Sequence, residues 1–256
     1  RILSVKYRSL GKGYGYIRIA QFQERTGEEF TKALQDLHKE NGGMLRGLVL
    51  DLRNNPGGLV DSAIDVTGRF VGEKLRDGLI VSMKGRDPSS RKELSATIGE
   101  KEPGYPLVVL INVGSASASE IVAGALQDYK RAIIMGTQSF GKGSVQSVIP
   151  MRDGAALKLT TARYYTPKGR SIQARGITPD IIVSAADTAK PMKDDGFDLR
   201  EKDLDGHIEA VGNKEIKKEK HNLLSSVPKN GDPAGDYQLS RALDLLKGVN
   251  LLGLPK

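Results

Sequence analysis

The chain of 256 residues contains no cysteine, no tryptophan and only three histidines, and aromatic residues make up 5% of it. Without cysteine there can be no disulfide framework, thiolate zinc site or cysteine nucleophile. The histidines, His38, His207 and His221, lie far apart in sequence, so a histidine-based metal cluster is not expected and a Ser-His-Asp triad has few ways to be assembled. So few aromatics supply little of a stacking platform for bases. No apolar run reaches the roughly 18 residues that a membrane span requires. An enzyme of this composition has to work with other groups.

What is present is an ordinary globular balance, 38% hydrophobic and 27% charged, enough to build a sizeable core. The formal charge of +8 could mark a nucleic-acid binder. By region, residues 1–185 hold 27 Lys+Arg against 18 Asp+Glu, and residues 186–256 hold 12 against 13. The excess is spread among strands and loops with no basic helix or Lys/Arg block, so no nucleic-acid partner is expected. The chain opens on Arg1 and alternates like a strand from its first residues. It therefore reads as a fragment or processed form from which any targeting segment is missing, so this end does not give the localisation.

Tyr14 to Phe22 alternates as a half-buried strand, and Glu28 to Glu40 sets Phe30, Ala33, Leu34 and Leu37 at helical spacing. Gly47 to Leu52 is a short apolar run of the kind covered on both faces. Asn54-Asn-Pro-Gly-Gly58 breaks it, and helical periodicity resumes from Leu59 to Phe70. The same strand, turn and helix recur in Pro106 to Asn112, Val113 to Ser117 and Ala118 to about Tyr129, followed by a buried strand at Ala132 to Gly136. Extended segments at Ser144 to Ile149 and Ala156 to Tyr165 follow. The pattern predicts an α/β core with parallel pairing and then a β-rich portion, with ligands gathering where strands end and helices begin. From Ala185 to about Asp232 the Lys/Asp/Glu-rich composition reads as a tether or mobile surface. A final helix, Tyr237 to Lys247, carries Leu239, Ala242, Leu243 and Leu246 on one face, suited to docking on the core or on another subunit.

Three serine and lysine motifs compete. Gly136-Thr-Gln-Ser-Phe-Gly-Lys142 begins like a phosphate-binding loop, but Gly143 stands where a magnesium-binding Ser/Thr must follow, and the next segment prefers strand to helix. Ser139-Phe-Gly-Lys142 has the Ser-x-x-Lys spacing of penicillin-recognising acyltransferases, although its glycines disfavour the helical turn this spacing needs. Gly114-Ser-Ala-Ser117-Ala-Ser-Glu120 joins a strand to a helix through small residues, which suits an exposed serine beside free amides and a helix N-terminus. It equally matches a capping box, Ser at N-cap and Glu at N3. The turn at Asn55-Pro-Gly57-Gly58 occupies the same structural situation, and its N–H groups could face the same crevice. A serine nucleophile needs a base. His38 is read as a surface histidine. Lys142 lies among Phe140, Gly141 and Gly143 without an adjacent carboxylate, and burial could favour its neutral form. Gln146, four residues on, could orient the amine without neutralising it.

Taken together, these residues resemble the C-terminal-processing, or tail-specific, serine peptidases. The likeness runs through Gly15-Tyr-Ile-Arg-Ile, Leu48 to Gly58, Gly114 to Glu120, Phe140-Gly-Lys-Gly-Ser-Val-Gln146, Thr161 to Ile172 and Gly176-Ile-Thr-Pro-Asp180. The resemblance implies a mixed α/β sheet of strand-turn-helix units, a ClpP/crotonase-like core, with a β-rich portion, a charged tail and a terminal helix. It implies a Ser/Lys endopeptidase with Ser117 as nucleophile, Lys142 as general base, Gln146 positioning the lysine, and the oxyanion held by the N–H groups of Gly58 and Ala118, with Gly57 as a further candidate. No metal or organic cofactor is required. Two alternatives stand beside it, a non-catalytic protein-binding scaffold on the same fold and an acyltransferase using Ser139 and Lys142.

Members of this family typically carry a PDZ domain ahead of the core, and no stretch of suitable length precedes the core here, so that domain is expected to be absent. Residues 1–185 are expected to form the peptidase core and 186–256 a tether with a helical segment. By the same resemblance the setting is the periplasm and the substrates are proteins or peptides. A lipoprotein adaptor is a candidate partner, and homo-oligomers are expected to form through the C-terminal segment.

Overall fold

The computed structural model describes residues 3–72, 78–96, 99, 101–151, 154–185, 199–209, 233 and 235–253. Two sheets carry the architecture. The larger has the strand order β1-β2-β3-β6-β7-β10, with β1 (Val5–Gly11), β2 (Tyr14–Ile19), β3 (Gly47–Asp51), β6 (Leu107–Ile111), β7 (Ile133–Gly136) and β10 (Ile181–Ile182). β1 and β2 form an antiparallel hairpin, and every other pair in this sheet is parallel. The smaller sheet is antiparallel with order β5-β4-β9-β8, from β4 (Leu79–Gly85), β5 (Lys92–Ser95), β8 (Ser144–Pro150) and β9 (Ala156–Tyr165). β4 and β5 follow the second helix in a stretch that the periodicity reading leaves unassigned, and the sheet reveals them.

Alternation decides what each face of the larger sheet buries. Leu48, Leu50, Val109, Ile111 and Ile134 point to one side, where they pack with α1 (Thr26–Glu40), α2 (Val60–Gly68) and α3 (Ala118–Asp128). Val49, Val108, Leu110 and Met135 point to the other, where Leu239, Ala242, Leu243 and Leu246 of α4 (Tyr237–Leu252) cover them. The chain is thus a mixed α/β fold with helices on both faces, as its strand-turn-helix pattern implies.

The face of α4 that sequence left without a partner is buried against its own chain. Its N-cap, Asp236, accepts from Leu239 N–H at 3.1 Å and also meets Arg53, a guanidinium only 1% exposed at the end of β3. The tether expected over Ala185 to Asp232 is also revised where it is described. Residues 199–209 are seated on the core through polar contacts, with Arg200 donating to Gln138 Oε1 at 2.9 Å and Glu201 N–H to Phe140 O at 3.3 Å. Polar anchoring of this kind leaves no apolar signature in sequence. The Lys-rich stretch Lys214 to Lys220 and His221 lie outside the described residues.

Candidate active site

β3 and β6 are adjacent parallel strands, so the turns at their C-terminal ends, residues 54–58 and 114–117, come out side by side. Hydrogen bonds lace the two together. Asn54 N–H donates to Asn112 Oδ1 at 2.9 Å, Asn112 Nδ2 to Asn54 Oδ1 at 2.8 Å, Ala116 N–H to Asn55 O at 3.0 Å and Ser119 Oγ to Asn55 O at 2.9 Å. The contact is close enough to demand glycine. A Cβ on Gly57 would lie 2.8 Å from Ser117 Cβ and 2.7 Å from Ala116 O, and Gly57 is held at φ +100°.

Ser117 caps α3 at φ 55°, ψ −113°. An ordinary N-cap serine sits in the extended region, and a non-glycine residue held at positive φ stores strain of the kind found at functional turns. Its position places the serine at the mouth of the turn, half-buried, with the amide of Ala118 opening the helix and so lacking an intrahelical acceptor. Gly58 contributes a second outward amide. Phe22 N–H donates to Gly57 O and Leu59 N–H to Phe22 O, both at 2.9 Å, which uses the groups flanking Gly58 and turns its own N–H away from Phe22. The Gly57 N–H is already donated to Asn55 Oδ1 at 2.9 Å, so of the two glycines Gly58 is the one with an amide to offer.

The lysine loop, residues 137–143, crosses the N-terminus of α3, with Phe140 N–H donating to Ser115 O at 3.0 Å. Glu120 is what joins loop to turn. Its Oε2 accepts the N–H of Ser117 and the N–H of Lys142, each at 2.9 Å, so the two backbones share one acceptor atom. Its Oε1 accepts from Gly141 N–H at 2.7 Å and Ser139 Oγ at 2.5 Å. Burial pushes the Glu120 carboxyl up to about 7, against the downward pull of these four donors. Sequence reading saw in Glu120 only the N3 half of a capping box. Its second task, organising a loop about twenty residues downstream, is a tertiary contact that local spacing does not encode.

Lys142 is half-buried, and among the described residues no carboxylate pairs with it. No hydrogen bond joins its Nζ to Ser117 Oγ among those residues. Gln146 is exposed on β8, beyond a register shift between Val145 and Gln146. Among the described residues no hydrogen bond joins its amide to Lys142. Ser139 is 1% exposed, and its hydroxyl both donates to Glu120 and accepts from Ile177 N–H at 2.7 Å. It is therefore a buried bracing residue, and the Ser139/Lys142 acyltransferase reading falls. His38 is not a surface residue either. It lies 2.7 Å from Glu102 Oε2, with its side chain 21% exposed. Among the described residues no His/Asp/Glu cluster could hold a metal ion.

Peptidase family S41 matches residues 13–183 of this sequence. The chain is 49% identical over 251 residues to a carboxy-terminal-processing protease of Bartonella bacilliformis, covering 97% of this chain and 55% of that protein. It is 40% identical over 185 residues to the carboxy-terminal processing protease CtpB of Bacillus subtilis, covering 72% of this chain and 37% of the relative. Among solved structures it superposes on the photosystem II D1 C-terminal processing protease with a TM-score of 0.62 at 36% identity, over 72% of this chain and 49% of that one. The chain thus spans about half, or less, of the length of these relatives.

Proposed function

The chain belongs to peptidase family S41, and from that premise we propose that it is a serine endopeptidase that cleaves protein substrates at or near their C-termini. Ser117 is the nucleophile and Lys142 the general base. Neutral Lys142 takes the Ser117 proton, Ser117 Oγ attacks the scissile carbonyl, and the amides of Gly58 and Ala118 hold the tetrahedral oxyanion. The protonated lysine then returns its proton to the leaving amine, and water repeats the cycle on the acyl-enzyme. Glu120 is a positioning residue that ties the serine turn to the lysine loop. Gln146 completes the reading as the amide that orients the lysine, a role proposed on the motif resemblance alone.

The observation that carries this reading is the seam between the two turns, where Gly57 abuts Ser117 and the Glu120 carboxylate gathers the backbones of Ser117 and Lys142 on one atom. The test is cleavage of an unstructured protein such as casein by matched preparations. Ser117→Ala and Lys142→Ala should each lose at least about 10³-fold in rate, and Ser117→Ala should no longer be labelled by a fluorophosphonate. Unchanged cleavage by Ser117→Ala would sink the assignment.

The setting we propose is the periplasm of a bacterial envelope, on the strength of the motif resemblance. Among the described residues no helix is long and apolar enough to cross a membrane. Residues 1–185 act as the peptidase core. The C-terminal segment is proposed to meet a second copy or a lipoprotein adaptor through its exposed end, where Leu251 and Leu252 are 84% and 73% exposed.

A further inference from the structure

The smaller sheet carries a concentration of charge that the catalytic reading leaves unused. Lys84 on β4 and Arg163 on β9 are direct cross-strand partners. Arg86 follows just past the end of β4 and lines the same groove. Like charges set directly opposite one another weaken a sheet, and a fold selected for stability alone would place an acid at one of these positions. Among the described residues none of the three forms an ion pair. The acids nearest in sequence are turned to other work, Asp87 accepting the Ser89 N–H at 2.9 Å and Glu93 pairing with Arg91.

The three cations line a groove of about 390 Å³ together with Thr160, Thr161 and Tyr165, with Ile208 at its rim. Lys84 Nζ rests 4.5 Å from the centre of the Tyr165 ring, which holds the ammonium in place without neutralising it. The groove also lies next to the lysine loop. Tyr164 N–H donates to Gly143 O at 2.7 Å, and Arg163 is the register partner of Ser144, two residues from Lys142.

We propose that this groove binds a carboxylate of the polypeptide substrate, with Lys84, Arg86 and Arg163 as its anion contacts. The proposal rests on the peptidase reading above, because a polypeptide's anionic groups are its terminal carboxylate and its Asp and Glu side chains. Guanidinium and ammonium donors on adjacent strands suit a two-oxygen acceptor. The volume suits one residue's carboxylate and its stem, and one tyrosine offers too little stacking surface for a nucleic-acid strand. A peptide held there keeps an anchored end beside the lysine loop, so these residues would set substrate specificity without touching the reacting atoms.

Binding is measured on the full chain carrying Ser117→Ala, which separates recognition from cleavage. Three fluorescein-labelled versions of one unstructured peptide are compared by anisotropy at low salt: a free C-terminal acid with no internal Asp or Glu, a C-terminal amide with internal Glu, and an amide with neither. The neutral amide should bind at least about tenfold more weakly than one or both of the others, and which one binds tightly identifies the carboxylate's source. Lys84→Gln with Arg163→Gln should reduce the tight binder to the level of the neutral amide. The exposed Arg86→Gln alone should weaken it several-fold, which keeps the test available if the double variant folds poorly. Equal binding of all three peptides, or a difference that survives these substitutions, would overturn the groove. So would displacement of the peptide by inorganic phosphate at far lower concentration than by acetate, which would make it a phosphate site. Ser117-dependent cleavage with equal binding discards the groove alone, and carboxylate-dependent binding with Ser117-independent cleavage discards the serine reading alone.

Discussion

Ser117, Gly57 and Glu120 show how few atoms assemble the site. Gly57 is needed for space and for backbone freedom together, since its φ of +100° disfavours any side chain and the nearest heavy atoms are those of the serine turn itself. Gly57→Ala should therefore lower kcat by about 10²-fold or more by displacing the proposed oxyanion amides, and slower phosphonylation of Ser117 by a fluorophosphonate in single-turnover measurements checks it. Glu120 makes a prediction in pH. Burial raises its carboxyl from 4.5 to about 7, so the folded state binds the proton more tightly than the unfolded one. Its contribution to stability is full below the unfolded value and is lost as the pH rises through about 7. The advantage in thermal midpoint of the wild type over Glu120→Gln should accordingly narrow between about pH 5 and about pH 8, read by calorimetry on both proteins. A gap that widened over that range would contradict the assignment.

At the scale of elements, α4 closes the sheet and also completes a buried charge cluster. Arg53 donates to both oxygens of Asp51 at 2.9 and 2.7 Å, to both oxygens of Asp236 at 2.9 and 2.6 Å, and to Gln238 Oε1 at 2.9 Å. Burial alone would lower its pKa, but the two carboxylates outweigh that and raise it, while Arg53 keeps Asp51 below the usual carboxylate range. Asp236 thus caps a helix and neutralises a buried cation 183 residues away in sequence. Its loss strands part of that charge. Asp236→Ala should cost about 3–5 kcal/mol in unfolding free energy by denaturant titration, more than the roughly 1 kcal/mol of a lost N-cap alone. Arg53 immediately precedes the turn that carries Gly57 and Gly58, so undocking of α4 would be felt at the site through residues 54–56.

Over the whole molecule, two sheets divide the labour. The larger sheet, whose central strands β3 and β6 are buried on both faces, supplies the rigid strand ends on which the serine and glycine turns stand. The antiparallel sheet carries the cationic groove, and its strand β8 begins at Ser144, two residues beyond Lys142, the proposed base. The net charge of +8 looks diffuse along the chain, yet part of it converges where β4 pairs with β9. That convergence could not be read linearly, because residues 84 and 163 become neighbours only through strand register.

The amino-acid sequence by itself determined the strand-turn-helix units, the helix α1 with Phe30, Ala33, Leu34 and Leu37 inward, the buried strands β3, β6 and β7, and Ser117, Lys142 and the glycine turn at residues 55–58 as candidates. These are consequences of local periodicity, of glycine at forced turns and of the near absence of alternative chemistries. Tertiary structure alone decided the rest. It spent the Gly57 amide on Asn55, buried Ser139 as a brace, left Gln146 exposed beyond a bulge, moved His38 into a pair with Glu102 and gave Glu120 the task of joining serine to lysine. It also turned α4 inward onto its own sheet. Each of these outcomes depends on which hydrogen-bonding groups and apolar faces meet across long sequence separations, and that pairing is settled by packing and not by spacing.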